Sequence, residues 1–278
     1  MPLYDRGWRP TRITRYIQGF ATSTSPVRVD TDLGEGYLKA MGNSEGPHAL
    51  ACEFVGTCLA DWLGIPTFDF SIIEVSEDDE IPFVKGGKAR PGPAFISRAE
   101  KGLTWGGSIR QLKLVTNPSV FSALIVIDTW TLNLDRCAPD RKRVNRDNVF
   151  FIQSSARKNR LELLAMDFTH AFRHGQDINR RIAFIERIQD ERIYGLFPEF
   201  ESFLNRQEVR RLAAALGRFR REDANGIIQA IPAAWEVEPD GRLALANLIT
   251  DRAHFLAERI ESILWPPKPQ LEFEGGIE

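Results

Sequence analysis

Between Leu132 and Phe168 the chain carries Asn133-Leu134-Asp135-Arg136, a basic loop, then Asp147-Asn148-Val149-Phe150-Phe151, and finally Leu163-Leu164-Ala165-Met166-Asp167-Phe168. Two carboxylates and a carboxamide are thereby strung around two short β-capable runs, residues 148–152 and 161–165. The polar, basic stretch QSSARKNR between those runs reads as a turn. If the runs pair as an antiparallel hairpin, the start of the first lies beside the end of the second, so Asn148 and Asp167 become neighbours. A hard cation such as Mg²⁺ takes oxygen ligands and keeps phosphate oxygens in its shell, which one carboxylate and one carboxamide oxygen suit. A second carboxylate not committed to metal, Asp135, can orient a hydroxyl for in-line attack. The chemistry this pattern suits is phosphoryl transfer from a metal-bound triphosphate.

Other elements must hold that hairpin. Residues 120–132 are an apolar run long enough for a buried helix, entered by Asn117-Pro118 as N-cap and first-turn proline, and its C-terminal end delivers Asp135. Asp128, inside that run, reads as hydrogen-bonded support for the segment that follows, with solvent exposure as the alternative. Upstream, residues 13–20, 27–31 and 37–41 are β-like runs punctuated by GFATSTSP and DLGEG, the pattern of an antiparallel meander. From Pro47, apolar residues recur at Leu50, Phe54, Val55, Cys58, Leu59, Trp62 and Leu63 with helical spacing until Gly64 and Pro66, and Glu53 sits among them. Residues 68–75 read as a strand, followed by the acidic turn SEDDE and the loop KGGKARPGP. Residues 93–97 read as an extended connector, and RAEKGLTWGGS as a mobile polar stretch. Four more helical patterns span 182–193, 207–220, 224–231 and 243–263, with arginines on the face left over. Trp130, Trp235 and Trp265 are assigned to the core.

Composition sets the bounds. With 278 residues, 43% hydrophobic and 10% aromatic, the chain can bury a substantial core. A net charge of −2 argues against binding nucleic acid through the whole surface, so any anion site must be local. Cys52, Cys58 and Cys137 lack metal-ligand spacing and read as buried reduced thiols. His48, His174 and His254 show no metal-ligand spacing either, and His170 reads as structural. The first fifteen residues lack an apolar signal core, and no run approaches the ~20 apolar residues of a membrane span. A cytoplasmic protein without membrane contact is expected.

These elements predict an α+β fold of two lobes. A small β-rich N-lobe covers residues 1–97, a larger, mainly helical C-lobe with the hairpin covers 98–265, and a flexible tail covers 266–278. The order GYLKAMGN, ALACEFVGTCLADWLGIPT, NLDR, DNVFF and LLAMDFTHAF, closed by IPAAWEV and an arginine- and leucine-rich helix, resembles the HipA-like kinase family. That family is a bacterial branch of the protein-kinase-like fold, and the resemblance runs from about residue 10 to 265.

The resemblance implies an ATP- and Mg²⁺-dependent kinase acting on a Ser or Thr hydroxyl of a protein, itself included. It implies that Lys39 contacts the α- and β-phosphates, paired with Glu53. Asp135 matches the catalytic aspartate, and Asn148 and Asp167 match the metal ligands. Phe168 keeps the aromatic that follows the metal aspartate, and Thr169 replaces the usual glycine. The interval from Asp135 to Asn148 is much longer than in protein kinases, which leaves Asn145 and Asp140 as competing ligands; Asn148 is preferred because it opens the strand. Asn133-Leu134 stands where kinases have a histidine-arginine pair, so Asp135 must be supported differently. Ser23, Thr24 and Ser25 lack the usual glycine spacing but can cradle phosphate through free N–H groups; a solvated hairpin turn is the alternative. The resemblance also implies autophosphorylation on these hydroxyls. The basic run from Arg136 to Arg146 could receive an acidic substrate or nucleic acid, or be a solvated face. Two rival readings are a small-molecule phosphotransferase on the same fold and a pseudokinase or binding module with an antitoxin-like partner in a toxin–antitoxin or defence assembly.

Overall fold

The structure, a computed structural model, describes residues 7–172 and 176–267. His174 and the expected tail beyond Pro267 lie outside the described residues. Five antiparallel strands, β1 (Ile13–Gly19), β2 (Val27–Thr31), β3 (Gly34–Lys39), β4 (Phe70–Val75) and β5 (Gly92–Arg98), form one sheet in the order β1-β2-β3-β5-β4. Helix α1 (Pro47–Trp62) packs on this sheet. Side chains alternate between faces along each strand. Leu38 and Ile96 enter a cluster with Val27, Val29 and Ile73 on one face, whereas Phe95 joins the larger core that contains α1. Lys39 is in register with Phe95 and follows Leu38, so the alternation turns it towards α1.

A second sheet joins β6 (Gly102–Thr104), β7 (Val149–Gln153) and β8 (Leu161–Ala165). The hairpin forms with Val149 opposite Ala165. Around it lie α2 (Ile109–Leu112), α3 (Ser119–Thr131), α4 (Ile185–Ile188), α5 (Arg206–Leu216), α6 (Arg221–Gln229) and α7 (Pro239–Leu264). Helix α3 is mainly apolar and buried on every side from Val120 to Thr131. Helices α5 and α7 pack against it. The protein is thus a mixed fold, an antiparallel N-terminal sheet followed by a mainly helical C-terminal part. Among the described residues no helix is long and apolar enough to cross a membrane. Cys52, Cys58 and Cys137 are buried free thiols, and burial pushes Cys137 up to about 11.

Four expected elements differ. The third strand is Gly34–Lys39, not 37–41, because Asp32-Leu33 makes a tight link. Thr31 Oγ1 donates to the Gly34 carbonyl at 2.6 Å, and Gly34 takes a φ of 96° that suits a residue without Cβ. Residues 93–97 are no connector but part of β5, the strand flanked by β3 and β4. The expected mobile stretch at 98–108 contains β6, which pairs with β7. Trp105 behind it is fully buried, donates its backbone N–H to Val149 O at 2.8 Å and packs against Phe197 and Phe200. Its three exposed strand residues carry no alternation to read.

Residues 182–193 are not one helix but a 3-10 turn followed by the single turn α4. Their apolar spacing misleads because Ile182 enters the core while Ile185 stays exposed. Buried Arg252 of α7 takes the carbonyls of Arg187 and Ile188 at 2.9 and 3.0 Å, the groups a continuing helix would use. Trp130 and Trp235 are fully buried, whereas Trp265 only packs on the core's edge.

Candidate active site

Lys39 lies between two carboxylates. Its Nζ is 3.0 Å from Glu53 Oε2 and 3.1 Å from Asp167 Oδ1, with the lysine side chain 12% exposed. A buried ammonium without a partner costs several kcal/mol, so this pairing decides where the strand end, α1 and β8 meet. Burial works against the Lys39 charge, yet Asp167 and Glu53 outweigh it and raise its pKa. Burial also raises Glu53, against the pull of Lys39. Burial would raise Asp167 too, but Lys39 and the Thr169 hydroxyl, which donates at 2.7 Å, hold it down at about 2. Asp167 is therefore ionised at any working pH.

Backbone geometry aims these groups. Asp167 has φ 61°, a left-handed conformation that aspartate tolerates. The next N–H, of Phe168, donates to Glu53 Oε2 at 2.8 Å. Helix α1 can approach that closely because Gly56 faces Phe168: a Cβ there would lie 2.4 Å from Phe168 Cβ.

The other half of the site hangs from α3. Leu132 ends the helix in a left-handed conformation, and Asn133 Oδ1 accepts the Asp135 N–H at 3.2 Å. Asp135 Oδ2 in turn accepts Asn148 Nδ2 at 2.8 Å and Asn145 Nδ2 at 3.3 Å. Both candidate asparagines thus reach the carboxylate, but Asn148 is the one that also lines the cleft with Asp167. Asp140 is exposed on the loop, where it accepts the Lys142 N–H at 3.0 Å, and lines a separate cavity.

The support that replaces the missing histidine-arginine pair is Arg136. It is fully buried, and its Nε donates to Asp128 Oδ2 at 2.7 Å. Nη1 donates to the Asn148 carbonyl, and Nη2 to the Met166 carbonyl at 2.9 Å. One guanidinium therefore ties α3 to Asn148 and to the residue preceding Asp167. Asp128 also accepts Asn133 Nδ2 at 3.1 Å, which takes it from the solvent and makes it the support the sequence suggested. Arg136 itself, read in sequence as part of a basic face, is unavailable to any partner because it is sealed in the core. The signal that could have revealed this was an acid, Asp128, stranded in an apolar helix, which requires a buried cation nearby.

A cleft of about 270 Å³ opens beside these groups. Tyr37, Phe70, Phe95 and Phe150 form an aromatic wall, and Lys39, Asn148 and Asp167 stand along its polar side. None of Ser23, Thr24 and Ser25 lines the cleft, though their neighbour Thr22 does; Thr24 and Ser25 are buried and Ser23 Oγ lies 3.3 Å from His170 Nε2. A solvated turn is therefore excluded for Thr24 and Ser25. His48 accepts the Ile178 N–H at 3.0 Å, and His254 contacts the Phe219 carbonyl, so both are held by local backbone. No His/Cys/Asp/Glu cluster typical of a dedicated metal site occurs among the described residues.

The donor set fits a hard divalent cation shared with phosphates. Asp167 Oδ1 is taken by Lys39 and Thr169, which leaves Oδ2 open. Asn148 uses Nδ2 on Asp135, and its Oδ1 has no partner among the described residues. Glu53 and Asp167 share the ammonium of Lys39, two anions against one cation, an excess of negative charge that a bound cation would offset.

A two-lobed fold whose cleft combines a strand lysine paired to a helix glutamate with carboxylates at the hairpin defines a protein-kinase-like protein. The family model for HipA-like kinases matches residues 14–265, and the chain belongs to that family. The fold is similar to that in the crystal structure of the Helicobacter pylori proinflammatory kinase CtkA, with a TM-score of 0.56 and 10% sequence identity. That alignment covers 91% of this chain and 96% of the other. No curated protein matches in sequence.

Proposed function

We propose that the chain transfers the γ-phosphate of ATP, with Mg²⁺, to a Ser or Thr hydroxyl of a protein. The observation that carries this reading is the three-way contact of Lys39 with Glu53 and Asp167 beside an aromatic cleft, 3.0 and 3.1 Å long. The aromatic wall suits a purine ring, and Lys39 suits the α- and β-phosphates of the same nucleotide. Asp167 Oδ2 and Asn148 Oδ1 are the atoms that would hold the metal. When bound, the metal neutralises charge that builds on the phosphates during transfer.

Asp135 is the base-like group. Its Oδ2 is held by Asn148 and Asn145, and its N–H by Asn133, so the carboxylate cannot swing. A substrate hydroxyl at its free oxygen attacks the γ-phosphorus; the bond from that phosphorus to the β,γ-bridging oxygen breaks, and ADP leaves. The hydroxyl proton passes to Asp135 and then to solvent. Catalysis of this kind is mainly positioning and charge stabilisation, which is why a buried arginine under Asp135 and Asn148 suits it.

The test is nucleotide-dependent thermal stabilisation. A ligand that binds the folded state raises the melting temperature. The wild type should gain stability from ATP more strongly with Mg²⁺ than without, and Asp167→Asn should lose the Mg²⁺-dependent part. Equal stabilisation with and without Mg²⁺ would contradict the reading.

A further inference from the structure

We propose that Asp147 recognises the sugar of the nucleotide by accepting hydrogen bonds from its vicinal 2′- and 3′-hydroxyls, and so selects nucleotides that carry this diol. This deepens the kinase reading above and rests on it.

The residues on either side of Asp147 are committed elsewhere. Arg146 pairs with Glu199 at 2.6 Å and lies over the Trp105 ring, and Asn148 gives its Nδ2 to Asp135 at 2.8 Å. Asp147 follows neither. Its Oδ1 accepts the Thr104 hydroxyl of β6 at 3.3 Å, and its Oδ2 has no partner among the described residues. Asp147 is exposed, yet it lines the aromatic cleft together with Thr104 and Asn148. The 3-10 turn Arg146–Asn148, anchored at both ends, thus presents one open carboxylate oxygen to the cleft.

Its place along the cleft decides what it can meet. Phe150 belongs to the aromatic wall that suits the purine, and Asn148 stands at the metal end. The two are two residues apart on an extended segment, roughly 7 Å. Thr104 is in register with Phe150, so a carboxylate resting on the Thr104 hydroxyl stands beside that ring, short of the metal end. The part of a nucleotide that joins base to phosphates is the sugar. A carboxylate accepts hydrogen bonds and donates none. It repels phosphate oxygens and matches two neighbouring O–H donors. Asp147 is also separate from the metal set, because its contact is with β6 whereas the Asn148 amide turns to Asp135.

The experiment measures the affinity of the full chain for ADP and for 2′,3′-dideoxy-ADP by calorimetry, with Mg²⁺ and with EDTA in its place. Neither nucleotide has a γ-phosphate, so no turnover intervenes. The wild type should bind ADP about tenfold tighter than the dideoxy analogue under both conditions, as expected for hydrogen bonds to a charged acceptor. Asp147→Ala should narrow that ratio to within about twofold. Asp147→Asn can keep the Thr104 contact while setting an NH₂ donor in place of the open oxygen, and should narrow the ratio as well. Equal affinity of the two nucleotides in the wild type, or a ratio kept by either variant, would overturn the proposal. So would an equal loss for both nucleotides, which a metal ligand, a contact to the base or a purely structural role would give. A wild type that binds neither nucleotide would break the kinase reading itself.

Discussion

Two groups of buried charges lie on either side of the hairpin, and they differ in one respect. Arg136 and Asp128 are sealed from solvent, balanced one to one, and each guanidinium nitrogen has an acceptor. Lys39, Glu53 and Asp167 border the cleft, carry one cation against two anions, and leave Asp167 Oδ2 unused. A closed, balanced network can only hold a shape, whereas an open, unbalanced one has affinity left for a ligand. The first group aims the atoms that the second presents.

The sharpest way to separate the two groups is to strike each at one residue. Asp135→Asn, which keeps the size of the side chain, should slow phosphoryl transfer about 10²–10⁴-fold while leaving nucleotide-dependent stabilisation intact. Asp128→Ala leaves the Arg136 guanidinium buried without a counter-charge and should destabilise the fold by about 3–5 kcal/mol in chemical denaturation. If the Arg136–Asp128 group aims Asn148 and the segment before Asp167, Asp128→Leu combined with Arg136→Met should restore much of that stability but not the rate. Full recovery of both would show that this group holds the fold without aiming the site.

Smaller effects test the close approach of α1 to Phe168 and the charge state of Asp167. Gly56→Ala brings a Cβ into Phe168 and should cost about 1–3 kcal/mol, with a further loss of rate because Glu53 moves with α1. Asp167 has a folded pKa of about 2, below the ~3.9 of an unfolded aspartate. Its contribution is thus fully present above pH ~4 and is lost as pH falls towards 2. Over that window the wild type should lose on the order of 2 kcal/mol that Asp167→Asn does not lose, read as a flatter stability curve in the variant.

Much of this was legible in the sequence because local pattern and tertiary position agree. The hairpin strands, α1 and α3 follow apolar periodicities that the packing keeps, and Asn148 and Asp167 come to one cleft because antiparallel pairing requires it. Apart from the local turn that sets the start of β3, the failures share a cause: the deciding contact is remote. Strand β5 reads as a connector because its place between β3 and β4 is a topological fact, and β6 is three exposed residues held by pairing with the distant β7 and by Trp105 behind it. The stretch 182–193 has helical spacing, but Arg252, far along the chain, takes its carbonyls. Arg136 reads as one more surface cation until Asp128, eight residues earlier, is seen to face it.

The most direct test of the account is transfer itself. Purified protein is incubated with γ-labelled ATP, Mg²⁺ and a degenerate Ser/Thr peptide library, beside Asp135→Ala and Asp167→Ala. The account predicts label in peptide or protein for the wild type and none for either variant, with all three folded. Label incorporated equally by Asp135→Ala, or no label in a wild type that binds Mg²⁺ and nucleotide, would contradict it.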